Sequence, residues 1–148
     1  MVYKLVTAKS PIFLVLAYGM FFFFLSIGES GVSIFWSIFL LLFGVISFFI
    51  KTEFIINQDN LNYQTMIFRF TVFQRNLSPT DINKVVFKRY GWATKGATLK
   101  LHKGFNIRIV QFTPNNVTAQ LEKFAINNNI SITKSKDYLL LERREKYR

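Results

Sequence analysis

The 148-residue chain has no cysteine, one histidine (His102), three prolines and only eight acidic residues against 19 Lys+Arg. Without cysteine there is no disulfide, thiolate zinc site, iron–sulfur cluster or cysteine nucleophile. The compartment stays open, because exported proteins can also lack cysteine. A single histidine excludes a multi-histidine metal site and any Ser–His triad not built on His102. Gly91, Gly96 and Gly104 are isolated, at spacings that fit no glycine-rich phosphate loop. Shortage of acid leaves a net charge of +11.

What the chain does have is apolar residues (51%), with 18 phenylalanines. That excludes a disordered polar chain. The length suits one modest domain plus an attachment. Charge and hydropathy separate along the sequence. Residues 1–50 hold Lys4, Lys9 and Glu29 as their only charged side chains, whereas residues 51–148 hold 17 basic and 7 acidic residues, a net of +10.

Pro11–Ile27 is 17 residues without a charge, and Val32–Ile50 is 19 more, ended by Lys51. A spanning helix needs about 20 apolar residues, so residues 1–51 predict a transmembrane helical hairpin with helices at 11–27 and 32–50. Gly28-Glu29-Ser30-Gly31 suits the turn between them. A cleaved signal peptide fits less well, because the apolar block resumes after the break and no small-x-small site stands at Ser26-Ile27-Gly28. Phe21-Phe22-Phe23-Phe24 is apolar on every side, unlike a surface helix. Lys4, Lys9 and Lys51 flank the helices, so the positive-inside rule puts both termini in the cytoplasm and Glu29 outside, in a multi-pass protein of the cell membrane. Pro11 suits a first helical turn, and Trp36 an interface anchor. Ser33, Ser37, Gly44 and Ser47 would allow close helix approach, or are simply ordinary small residues. No ionisable residue lies within either run, which argues against an ion path.

Residues 52–135 read as a small β domain with one helix. Strand patterns fall at Glu53–Asn57, Leu61–Met66, Phe70–Asn76, Ile82–Arg89, Thr98–His102, Phe105–Gln111 and Ile130–Thr133. In Thr98–His102, Leu99 and Leu101 take one face and Thr98, Lys100 and His102 the other. In the next strand Asn106 and Arg108 oppose Phe105, Ile107 and Ile109. Gln58-Asp59-Asn60, Ser78-Pro79-Thr80-Asp81 and Lys103-Gly104 are turns. Thr113 is a predicted N-cap and Pro114 a first helical residue, with the helix over about 114–128 carrying Val117, Leu121, Phe124 and Ala125. Residues 136–148 form a basic tail. Its Tyr138–Arg148 part suits a short amphipathic helix with Glu142 and Lys146 as an i,i+4 pair, or a disordered or domain-packing segment.

This order resembles the bacterial pleckstrin-homology-like membrane proteins, on the residues Phe54–Tyr63, Leu77–Val85 and Phe112–Asn116. The resemblance covers about residues 53–133. It implies a membrane α-helical hairpin followed by an α+β pleckstrin-like domain of about seven antiparallel strands and one C-terminal helix. In length, hairpin-first order and basic second half, the chain is also similar to the Bacillus immunity proteins that protect a producer from a glycosylated bacteriocin of the sublancin type. That similarity implies non-catalytic self-protection, by binding or shielding at the membrane. The alternative is a membrane-anchored adaptor or assembly component of an envelope complex.

An enzyme is not expected. Asp59, Asp81 and Glu122 are scattered over turn, loop and helix, whereas paired acids must face one site. His102 sits beside Lys100 and Lys103 on a polar face. No cofactor or metal is expected. The basic charge has three readings: contact with an anionic leaflet, nucleic-acid binding, for which no recognised motif is present, or simple retention and solubility. Lys51, Lys84, Lys88, Arg89 and Lys95 are the candidate lipid or partner contacts, with Tyr90 and Trp92 as neighbouring aromatics. The expected partners are the lipid bilayer and a bacteriocin or its membrane target, and not nucleic acid.

Overall fold

A computed structural model describes residues 1–27 and 31–146, apart from the side chains of Val32 and Lys146. The predicted Gly28-Glu29-Ser30 turn, the Glu142–Lys146 pair and Arg148 lie outside the described residues. The chain divides into two compact units, residues 1–6, 52–64 and 73–148, and residues 7–51 and 65–72.

The second unit is built on two helices, α1 (Ser10–Leu25) and α2 (Gly31–Phe48). Pro11 stands in the first turn of α1, where its missing N–H costs nothing. The helices meet through small residues. A Cβ on Gly19 would lie 3.1 Å from Leu41, and one on Gly44 would lie 2.6 Å from Leu16. Ser26 and Ser37 are buried between the helices, with their hydroxyls 3.5 Å apart. Each also donates to a carbonyl one turn back, Phe22 at 2.7 Å and Ser33 at 3.0 Å, so neither is left unsatisfied. Phe48 packs edge-on against Phe13, with Lys9 over its ring. Phe68 stacks on Phe49 at 4.1 Å.

The hairpin is apolar as expected, but its reading as a membrane span is corrected. α1 has 16 residues and α2 has 18. At 1.5 Å per residue they reach about 24 and 27 Å, short of a hydrocarbon core about 30 Å thick. No helix among the described residues is long and apolar enough to cross a membrane. The predicted multi-pass topology, cell-membrane location and bilayer partner lose their support with it. Lys4, read as a membrane-flanking charge, lies on a strand instead.

The first unit holds two sheets. One has strand order β4-β3-β2-β1-β8, from β1 (Val2–Leu5), β2 (Ile50–Ile56), β3 (Leu61–Ile67), β4 (Phe70–Leu77) and β8 (Phe112–Thr113); β2, β3 and β4 run on into the second unit. The other has order β7-β6-β5-β9, from β5 (Ile82–Tyr90), β6 (Thr94–Leu101), β7 (Ile107–Val110) and β9 (Ser131–Lys134). β1 pairs Tyr3 with Phe54 and Leu5 with Phe112, so the N-terminal residues complete the first sheet. β9 joins β5 in parallel after the helix α3 (Val117–Asn127).

One core fills this unit. Val85, Phe87, Ala97, Leu99 and Ile109 from the second sheet pack with Tyr3, Phe54, Leu61 and Phe112 from the first, with Val117, Leu121, Phe124 and Ala125 from α3, and with Tyr138 from α4 (Lys136–Lys146). The period-two alternation of β5 to β7 and the helical spacing of α3 turn these residues to one side. α3 starts later than predicted: Asn116 is its N-cap, while Thr113 ends β8 and precedes a cis bond to Pro114. The Tyr138 stretch is a docked helix rather than a free tail.

The pleckstrin-like expectation is also corrected. The two sheets do not close into a barrel, and the fold is a mixed α/β arrangement of two sheets and four helices among the described residues. The edge strands β4 and β7 are not paired with each other. Instead Arg75 of β4 donates to the carbonyls of Lys103 at 2.8 Å and Phe105 at 3.3 Å.

Candidate interface for an anionic partner

The antiparallel register of β5, β6 and β7 decides which basic residues meet. Lys84 stands opposite Lys100, Val86 opposite Thr98, and Lys88 opposite Gly96. Arg108 of β7 stands opposite Thr98. The period of two therefore sends Lys84, Lys88, Tyr90, Lys100 and Arg108 to the face away from the core. Their neighbours Val85, Phe87, Leu99 and Ile109 are buried on the other face.

Tyr90 organises one end of this outer face. Its ring lies over Gly96, where a Cβ would stand 2.7 Å from the ring carbon Cδ2. Glycine is needed there because another side chain would lift the ring off the strand. The Tyr90 hydroxyl bonds the Thr98 hydroxyl. Lys88 Nζ and Arg108 Cζ each lie 5.2 Å from the ring centroid, within cation–π range. The ring is thus held between the strand and two cations.

Six of the acidic residues are engaged elsewhere. Glu53 pairs with Lys4, Asp137 with Arg89, Glu145 with Lys95, and Glu122 and Glu142 both with Lys134. Asp81 accepts from the Ser78 hydroxyl at 2.7 Å and from its backbone N–H at 2.9 Å. These bonds hold the Asp81 carboxyl below its ordinary value, with smaller help from Arg75 and His102. Burial alone would lower the Lys134 ammonium, but the hydrogen bonds and charges of Glu122 and Glu142 outweigh it and raise it. Burial raises the Tyr138 phenol, which Thr118 meets with a hydrogen bond. Among the described residues no carboxylate forms an ion pair with Lys84, Lys88, Lys100 or Arg108. Lys84 directly opposite Lys100 is an unfavourable cross-strand pair on its own, and a bound anion would relieve it.

The five basic residues singled out in the sequence are divided by the fold. Lys84 and Lys88 share the outer face. Arg89 and Lys95 turn to α4, where Arg89 meets Asp137 at 3.1 Å. Lys51 is exposed at the start of β2, in the other unit. Lys100 and Arg108 were missed as site residues. Their alternation put them on a polar face, but only the strand pairing brings them to Lys84 and Lys88. Trp92 is 98% exposed in the β5–β6 turn, after Gly91 in a left-handed conformation.

Of the residues considered for chemistry, Asp81 and His102 line one open cavity with Arg75, Thr80 and Lys103, while Asp59 and Glu122 lie elsewhere. Asp59 lies in the β2–β3 turn, Asp81 ends a 3₁₀ turn, and Glu122 is on α3. His102 is exposed, with its backbone N–H donating to the Asp81 carbonyl. Among the described residues no three His, Asp or Glu side chains are grouped to hold a metal ion.

No family model matches the chain, and neither does any curated protein. The resemblance to pleckstrin-like membrane proteins and to sublancin-type immunity proteins is therefore not supported by homology. With no spanning helix among the described residues and no closed barrel, its structural basis falls too. The expected roles as a bacteriocin immunity protein or a membrane-anchored adaptor have no remaining support.

Proposed function

We propose that the chain is a non-catalytic binding module that holds an acidic segment of a partner protein on the outer face of β5, β6 and β7. The observation that carries this reading is the grouping of Lys84, Lys88, Lys100 and Arg108 on one face without an ion-paired carboxylate among the described residues. Cations of this kind, exposed at Lys88, Lys100 and Arg108 and half-buried at Lys84, attract and orient an anionic partner, and salt screens them. A nucleic-acid platform would need aromatic faces open for base stacking. Tyr90, the aromatic on the strands of this face, has its ring already taken up by Gly96, Lys88 and Arg108, which leaves Trp92 of the β5–β6 turn as a single open ring there among the described residues. Asp81 is held by Ser78, and no second carboxylate lines its cavity among the described residues, which supports binding rather than acid–base catalysis by paired carboxylates.

The test is a fluorescence titration of the full chain with a labelled Glu-rich peptide. A mild non-ionic detergent would cover the exposed apolar side chains of the hairpin. Binding should weaken with salt. It should fall at least about tenfold in the Lys84→Glu, Lys88→Glu, Lys100→Glu, Arg108→Glu variant, a change of about 1.4 kcal/mol. Equal affinity in this variant would overturn the reading, as would markedly tighter binding of a single-stranded oligonucleotide.

A further inference from the structure

β7 is an edge strand of the second sheet. It therefore presents one row of backbone N–H and C=O groups without a strand partner. Its side chains alternate, with Arg108 on the basic outer face and Ile107 and Ile109 turned inward. Beside Ile107 lies an open groove of about 450 Å³, lined by Tyr63, Phe73, Gln74, Arg75, Phe105 and Asn106.

The apolar part of this groove is set out for contact. Phe105 is 91% exposed and Phe73 49%. Phe105 stands on a braced loop. Arg75 binds the carbonyls on either side of Gly104, and Gly104 has φ +87°, with space for a Cβ already taken by Arg75 Nη2 at 2.6 Å. A ring held on a braced loop loses little freedom when a partner covers it.

We infer that the acidic partner segment adds to β7 as an extended strand. Its carboxylates lie along the outer face beside Arg108, and its alternate, apolar side chains enter the groove at Phe105 and Phe73. Strand addition supplies backbone hydrogen bonds, and the side-chain period of two supplies both selections at once. The partner is thus an alternating acidic–apolar segment, and β7 offers it a strand of about 13 Å. This inference rests on the basic-face reading and specifies the partner it takes.

The experiment titrates the full chain, in mild non-ionic detergent, with four labelled hexapeptides. One alternates Glu and Val, and one alternates Glu and Gly. Two carry N-methyl groups on alternate residues of the Glu–Val sequence, one in each register. The Glu–Val peptide should bind about tenfold tighter than Glu–Gly. One of the two N-methylated registers should lose that gain, and Phe105→Ala should abolish the preference for Val. Phe105 is exposed, so its replacement leaves the fold intact. Full affinity of both N-methylated peptides, or an unchanged Val preference in Phe105→Ala, would overturn strand addition. Salt-sensitive Glu–Gly binding that the fourfold charge reversal removes would in that case leave the basic face standing. Failure of every acidic peptide to bind would remove the basic-face reading, and this inference with it.

Discussion

The two units bury opposite kinds of residue. In the two-sheet unit, Phe54, Phe87, Leu99 and Leu121 are inside, and the outer face of β5 to β7 carries lysine and arginine. In the hairpin, Gly19, Ser26, Ser37 and Gly44 are inside, while Phe13, Phe21, Phe24, Phe35, Trp36 and Phe43 are exposed. The first unit is organised by removal of apolar surface from water. The hairpin is organised by close approach of small residues, and its large apolar side chains stay exposed. Apolar content alone therefore says little about burial: phenylalanine is core in one unit and exposed in the other.

The sharpest test of this contrast is a pair of truncations. Phe87→Ala should destabilise the two-sheet unit by about 3–5 kcal/mol, because it removes a fully buried ring packed on Tyr138. Phe21→Ala, on the exposed side of α1, should stay within about 0.5 kcal/mol. Denaturant unfolding in mild detergent measures both, and equal losses would break the comparison.

Glycine replacements sharpen it at the next level. Gly96→Val should cost about 1–3 kcal/mol or more, because the new Cβ meets the Ile109 carbonyl oxygen at 2.8 Å and backbone cannot yield. At Gly44 the atoms nearest a new Cβ belong to the side chains of Leu16 and Val15, which can shift, so Gly44→Val should cost the hairpin less. Thermal unfolding ranks the two.

Smaller effects come from the ion pairs that join β9 to α3 and α4. Lys134→Met leaves Glu122 and Glu142 without their shared cation. The pairs are partly exposed, so the loss should be about 1 kcal/mol, read from unfolding midpoints at low and high salt. The smallest effect belongs to Asp81. Its folded carboxyl lies below the ordinary 3.8, so its contribution is complete above that value and fades as pH falls through the lower, folded value. Asp81→Asn should lower neutral Tm slightly, leave Tm in acid nearly unchanged, and so flatten the dependence of Tm on pH below about 4.

Strand alternation made much of the two-sheet unit legible. β3, β4 and β5 begin where the period-two pattern begins, at Leu61, Phe70 and Ile82. The face assignments of Lys100 and Arg108 were also legible. What the pattern could not supply was pairing. Arg89 and Lys95 look like neighbours of Lys88 along the chain, yet the alternation and α4 take them to the opposite face. β1 was hidden because Val2-Tyr3-Lys4-Leu5 is too short to signal a strand without β2 and β8 on either side. The hairpin was read correctly as apolar, but uncharged length was taken for helix length. The helices stop at Leu25 and Phe48, and Ile50 already belongs to β2.

The most direct measurement is chemical-shift mapping by NMR, with the full chain titrated by the Glu–Val peptide. The account predicts saturable shifts at Lys84, Lys88, Lys100 and Arg108, continuing along Ile107–Val110, with Arg89 and Lys95 unaffected. Shifts centred on Arg89, Lys95 and α4, or none on β5 to β7, would contradict it.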